Sequence, residues 1–143
     1  MDTLNYAGFW KRFGAAFIDG LIVGTPFMII ALVNFFNPMH LPAMLTGLLG
    51  LLMFPVRIVI PWLYYAWFES SGSQATPGKM LLGIKVTNLD GERISFMNAT
   101  GRYFGKILSS VTLLIGYIMA AFTERKQALH DIIASTLVVN ATE

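Results

Sequence analysis

Three ionisable residues stand where the sequence offers them almost no water. Asp19 lies inside residues 13–36, a run otherwise built of apolar, small or mildly polar side chains. Arg12 immediately precedes that run, and Arg57 sits in a second one, residues 41–68. A charge at the centre of a membrane-spanning helix costs about 2.5–3.5 kcal/mol on insertion scales, so such groups face protein or water and often mark proton relays or ion sites. Arg12 and Asp19 are nearly two helical turns apart on one face. Asp19 falls about 10 Å below the start of the first run and Arg57 about 16 Å below the end of the second. With the arginine snorkelling toward the interface, an Asp19–Arg57 pair across antiparallel helices is geometrically reasonable. Such a pair either neutralises two buried charges and fixes helix register, or forms a site for Na+ or H+.

Other chemistry is missing. The stretch from Gly72 to Gly78-Lys79 imitates a phosphate-binding loop, but five residues separate the glycines and Met80 stands where Ser or Thr would hold magnesium. His40 and His130, the only histidines, fall on opposite sides of the membrane in the topology below and cannot share a metal. Cysteines are absent, which removes disulfides, thiol nucleophiles and cysteine metal sites. No nucleophile arrangement or local pair of carboxylates is present. The expectation is a protein that is not an enzyme and has no cofactor or metal.

The elements that must position these charges follow from composition. Hydrophobic residues make up 55% and charged residues 13% of 143, against about 25% charged in an average globular domain. Residues 13–36 and 41–68 each exceed the roughly 20 residues a helix needs to cross a ~30 Å hydrocarbon core. Residues 37–42, NPMHLP, read as a turn between two spans. The first run is too long for a secretory signal peptide and carries Asp19, so it is expected to remain as a span. A third run, residues 107–122, is short and holds Ser109, Ser110, Thr112 and Gly116. Extended back to Tyr103 it makes a third span, the preferred reading; the alternative is a re-entrant hairpin turning near Gly116. The fold expected over residues 1–143 is therefore one all-α membrane domain, a three-span helical bundle whose third run spans or re-enters.

Between the second and third runs, Thr76-Pro77 marks a helix start that Gly83 can end. Ile84 and Val86 alternate ahead of Asp90-Gly91, with Ile94 and Phe96 after it, which predicts a small hairpin. The segment LHDIIASTLVVN is expected to return to the same surface as helix or strand. Lys11 and Arg12 precede the first span, and Lys79, Lys85, Arg93 and Arg102 follow the second. The positive-inside rule then puts the N-terminus and the helix–hairpin segment in the cytoplasm. The location implied is a bacterial inner (plasma) membrane. Ala16, Gly20 and Gly24 recur every fourth residue as a small-residue seam that admits a neighbouring helix. Expected partners are the bilayer itself, anionic headgroups at about 1 kcal/mol per basic residue, and a second copy or another membrane protein; nucleic acid is not among them.

Three pieces in order, YAGFWKRFGAAFIDGLIV, ATPGKMLLGIKV with DGERISF and Arg102, and KQALHDIIASTLVV, resemble the RDD family of small multi-spanning membrane proteins. The family is named for one arginine and two aspartates, which Arg12, Asp19 and Asp131 match residue by residue; Arg57 is not part of that pattern. The resemblance implies that Asp131 belongs to the site, and, if the tail folds beneath the bundle, that it meets Arg12 or the Thr76–Lys79 turn beside His130. It also implies either transport, including sodium/proton exchange, or a membrane module serving other proteins. Two functions are thus expected: a small cation/proton transporter or transport accessory using Asp19, and alternatively a non-catalytic membrane scaffold.

Overall fold

The computed structural model describes residues 4–36, 42–112 and 115–141. Two helices dominate, α1 (Phe9–Phe36) and α2 (Ala43–Ser70), each of 28 residues. At 1.5 Å per residue each is about 42 Å long. Helix α1 starts before its apolar run and so takes Arg12 into its first turn; α2 runs on through Glu69. Both continue through their prolines, Pro26 in α1 and Pro55 and Pro61 in α2. Phe35, Leu51 and most other large apolar side chains on them point outward. Lipid solvates such surfaces and water does not, so the length and apolar shell make both helices membrane spans. The NPMHLP turn and His40 lie outside the described residues, save Pro42, which leads into α2.

The two spans hardly touch. Helix α1 packs on α3 (Pro77–Leu81), and α2 packs on α4 (Phe96–Val111). The expected seam of Ala16, Gly20 and Gly24 is not what buries Asp19: Gly20 and Gly24 face open space. The buried stripe of α1 is Ala15 and Asp19, one turn apart, because these two meet α3.

The third run does not form one straight helix. Helix α4 starts at an N-cap, Ser95, whose hydroxyl accepts from the Asn98 amide at 3.1 Å, and ends at Val111. Helix α5 (Ile115–Ile118) and a 3₁₀ turn (Met119–Ala121) follow, bent by 117° from α4. Ser109, Ser110 and Thr112 turn their hydroxyls onto carbonyls of their own helix, which offers the backbone an alternative to continuing. Gly116 lies against Ser109, so close that a Cβ there would stand 2.7 Å from its Oγ. The molecule thus has two clear spans and a broken third element.

The remaining chain forms a cap where α1 begins and α2 ends. Gly83, with φ +62°, ends α3 and leads into strand β1 (Ile84–Asn88). The turn at Asp90-Gly91 forms, with the Gly91 amide donating to the Asn88 carbonyl at 3.2 Å. The predicted hairpin does not. One backbone bond, from the Asn88 amide to the Glu92 carbonyl at 2.9 Å, closes the turn, but no ladder follows before the Ser95 cap, and β1 pairs instead, antiparallel, with β2 (Thr136–Asn140), placing Val86 opposite Val138. Helix α6 (Leu129–Ile133) precedes β2, so the C-terminal segment returns as both helix and strand. On the other edge of β2, Ala7 donates to Val138 at 2.9 Å and Asn140 to Asn5 at 2.8 Å. Chain start and chain end are therefore zipped into one sheet. Beneath it Ile84, Val86, Ile94 and Val138 pack with Ala7, Ala15 and Ala66.

That core is small, so each large side chain matters. Ile84→Ala is expected to cost the cap about 2–5 kcal/mol, the range for emptying a buried aliphatic site. Hydrogen exchange in detergent micelles should show faster exchange across β1 and β2 while α1 and α2 stay protected; unchanged exchange in the strands would contradict the assigned core.

Candidate functional site

Where the cap meets the spans, apolar helix ends carry buried charges, and each has found a partner. Asp19 is fully buried on α1. Its carboxylate accepts from the Tyr64 hydroxyl at 3.0 Å, the Thr76 hydroxyl at 2.5 Å and the Gly78 amide at 2.9 Å. Thr76 does occupy the N-cap position of α3, as its sequence predicts, but its hydroxyl serves Asp19 rather than its own helix. Both oxygens of Asp19 are thus taken by neutral donors from α2 and α3. Hydrogen bonds to a charged group are worth about 1.5–3 kcal/mol each, more than neutral ones.

The Asp19–Arg57 pair does not form. Arg57 is exposed and shares no ion pair among the described residues, while Asp19 points the other way, into the cap. Depth decides this: the α2 residue level with Asp19 is Tyr64, and Arg57 lies seven residues, about 10 Å, farther along that helix. Nor does Arg12 reach Asp19. It turns to Asp131, with which its Nη1 forms a close ion pair, and its Nε donates to the Ala7 carbonyl at 3.2 Å.

Asp131 is the hub of the second cluster. It sits in the first turn of α6, where its Oδ2 accepts from the Ala128 amide at 3.0 Å, a reach-back that closes the helix start. Its Oδ1 lies 2.6 Å from Nη1 of Arg102 on α4. Arg102 is itself buried and continues the chain of charges, with Nη1 on the Thr136 hydroxyl at 3.0 Å and Nε 3.0 Å from Oε2 of Glu69. That last approach is an ion contact rather than an aligned hydrogen bond, since neither atom finds hydrogen-bond geometry. Glu69, at the end of α2, pairs closely with Lys79 of α3 and lies 3.4 Å from Lys106 of α4. One network, Arg12–Asp131–Arg102–Glu69–Lys79/Lys106, therefore ties five helices together with four cations and two carboxylates.

The cap groups titrate accordingly. Burial alone would raise the Asp131 carboxyl, but Arg102 and Arg12 outweigh it and hold the group well below the usual carboxylate range. Burial pushes His130 down to about 3, against the pull of Asp131, with Arg102 and Lys106 adding to the fall. Its 3.5 Å approach to Asp131 is consequently a contact of a neutral ring, not an ion pair. Burial also lowers Lys79, with Glu69 opposing.

Arg12, Asp131 and Lys79 thus come together around this junction, with His130 beside them, and Arg57 stays apart. Glu69 and Lys106 went unnoticed as site residues. The signal was there: Arg102 and Lys106 are four apart on one helix face, and Glu69 is the carboxylate at the end of an apolar run with cations on both sides of it in sequence. Beside the network lies a cavity of about 670 Å³, lined by Asp19, Arg12, Lys79 and Lys106 at its charged end and by Phe13 and Ile118 at its apolar end.

Comparison with known proteins adds the following. The model of the RDD family matches residues 6–135. The chain is 44% identical over 146 residues to the uncharacterized protein YxaI of Bacillus subtilis (strain 168), covering 93% of this chain and 96% of that one. It is 33% identical over 145 residues to the uncharacterized membrane protein YteJ of the same organism, covering 96% and 83%. No solved structure matches.

Two outcomes test the geometry. A Cβ on Gly78 would stand 2.8 Å from Oδ1 of Asp19 and closer still to the Ala15 carbonyl. Gly78→Ala should therefore cost about 1–3 kcal/mol by overpacking, read as a lower melting temperature in detergent; an unchanged melt would refute the close approach of α3 to α1. The second concerns acid. His130 binds its proton only near pH 3 when folded but near 6.5 when unfolded, so the unfolded state takes up the proton first as pH falls. Stability should drop from pH 6.5 toward pH 3 with a slope approaching about 1.4 kcal/mol per pH unit. Asp131, depressed in the fold, adds its loss only below its ordinary value of 3.8. His130→Asn should flatten the upper window, measured by tryptophan-fluorescence melts between pH 7.5 and 4; a slope that persists would assign it elsewhere.

Proposed function

The chain belongs to the RDD family, and from that premise we propose that it is a non-catalytic membrane module, a scaffold whose charge-clamped cap holds two spans in a fixed pose for assembly with a second copy or another membrane protein. The observation that carries this reading is the state of Asp19. A cation site needs carboxylate oxygens free to coordinate, and those of Asp19 already accept three donors, from Tyr64, Thr76 and Gly78. The adjoining network holds four cations to two carboxylates, a field that repels Na+. The seam of Ala16, Gly20 and Gly24 supports assembly, because Gly20 and Gly24 lie on the outside of α1 with open space before them. Charge bias supports a cap on the cytoplasmic face of a bacterial plasma membrane, with Lys79, Lys85, Arg93 and Arg102 following the second span.

The second reading, a cation/proton transporter or transport accessory using Asp19, draws on one observation. The cavity reaches Asp19, Lys79 and Lys106 from the membrane side of the cap, which is where a coupled site would need space. Cation-driven proton movement in proteoliposomes separates the two. The native chain and Asp19→Asn, at matched folded levels, are expected to give the same background flux. Exchange that vanishes with Asp19→Asn would overturn the scaffold reading.

A further inference from the structure

Residues of all six helices line a partly open cavity of about 670 Å³, within the range of sites that hold small molecules. Its two ends differ in chemistry. At the cap end stand Arg12, Lys79, Arg102 and Lys106. The carboxylates there are committed: Asp19 to three neutral donors, Glu69 and Asp131 to the cations themselves. Four cations against Glu69 and Asp131 leave two positive charges, and adding Asp19 still leaves one. Two donors are under-used. Nη2 of Arg12 is buried with no hydrogen-bond partner among the described residues. The ammonium of Lys106 holds only a 3.4 Å contact to Glu69 and lies over the Tyr65 ring, 4.0 Å from its centroid. Buried positive charge with unspent donors calls for an anion.

The other end is apolar. Phe13 of α1, Ile107 of α4 and Ile118 of α5 line it, and all three are also about half exposed on the lipid-facing surface. Among the described residues, no extensive packing of α1 on α4 or α5 closes the gap between them. A ligand entering there would come sideways from the bilayer, with its polar part reaching the cations and its apolar part remaining in hydrocarbon.

From this pairing of a cationic floor with an apolar side opening, we propose that the cavity binds the headgroup of an anionic phospholipid, with the Lys106 ammonium as the phosphate donor, Arg12 adding positive charge at the wall, and Phe13, Ile107 and Ile118 against the first acyl carbons. Lysine meets phosphate as a compact point charge on a flexible stem, and the arginines beside it raise the positive potential it works in. The site differs from loose attraction of surface lysines to headgroups, since it is a recessed cavity with room for one headgroup. It does not depend on whether the chain moves ions.

The test is native mass spectrometry of the full chain released from detergent, titrated with phosphatidylglycerol or with phosphatidylcholine of the same acyl chains. One phosphatidylglycerol should be retained per chain, with at least about tenfold preference over phosphatidylcholine, and Lys106→Gln should cut that preference about tenfold, the worth of one charge-assisted contact. Because Lys106→Gln also touches the network, Ile118→Trp provides a second arm: it fills the opening, leaves every charge in place, and should abolish retention with an unchanged melting temperature. Equal retention of both lipids would overturn the proposal. So would a preference that survives both substitutions, which would belong to the surface. Stabilisation by inorganic phosphate without retention of phosphatidylglycerol would overturn it in favour of a soluble anion.

Discussion

A carboxylate removed from water must be met by donors, and in this molecule Asp131 meets that requirement with groups from three separate stretches of chain. Its oxygens hold Arg12 from the first turn of α1, Arg102 from the middle of α4 and the amide of Ala128. Since α1 leaves the cap, α4 rests on α2 and α6 carries the chain into β2, fixing one carboxylate fixes the relation of almost every element. A buried ion pair is not automatically stabilising, because desolvation of both partners offsets much of the attraction. Its stronger effect is on uniqueness: removing one partner strands the others, so alternative arrangements of the cap are penalised. Arg102 shows this best. Fully buried, it is tolerable only with Asp131, Thr136 and Glu69 all in place.

The second latch works by different chemistry toward the same end. Asp19 uses hydroxyls and a backbone amide instead of arginine, and it fastens α1 to α3 rather than to the tail. Together the two aspartates grip opposite sides of the cap: one ties in the segment after α2, the other the C-terminal segment. The sheet completes the clamp, with β2 flanked by β1 on one edge and residues 5–7 on the other. Of the spans, α2 packs along α4, while α1 touches little of the chain beyond the cap among the described residues. Their outer faces remain exposed and so available to lipid or to another helix.

This division gives the junction its chemical character. Cations outnumber carboxylates because Glu69 is shared among Lys79, Arg102 and Lys106. Local potential at the cap end of the cavity is positive as a result, whatever the modest charge of the whole chain. The same excess disfavours a bare metal cation and favours a negatively charged headgroup. His130 stays neutral inside this field, wedged between Asp131 and the Tyr117 ring, 5.2 Å away. It fills space there and contributes no charge near neutral pH.

The sequence by itself determined the membrane character and the two spans, because a run of more than 20 apolar residues has few other stable environments. It also determined the start of α3 at Thr76-Pro77 and its end at Gly83, since these rest on local backbone geometry. Resemblance to a family pattern brought in Asp131. Pairing was another matter. Asp19 could be expected to seek Arg57 or Arg12 on grounds of depth and spacing, yet it binds Tyr64, Thr76 and Gly78. Ile84–Val86 was expected to fold back on Ile94–Phe96, yet strand β1 takes its partner from residues about 50 positions away. In both cases nearness along the chain lost to a contact that forms only when the cap closes. Local propensity can place a turn or end a helix. Which buried charge faces which depends on how α1, α2 and α4 are spaced, and that spacing is set by all the contacts of the junction at once.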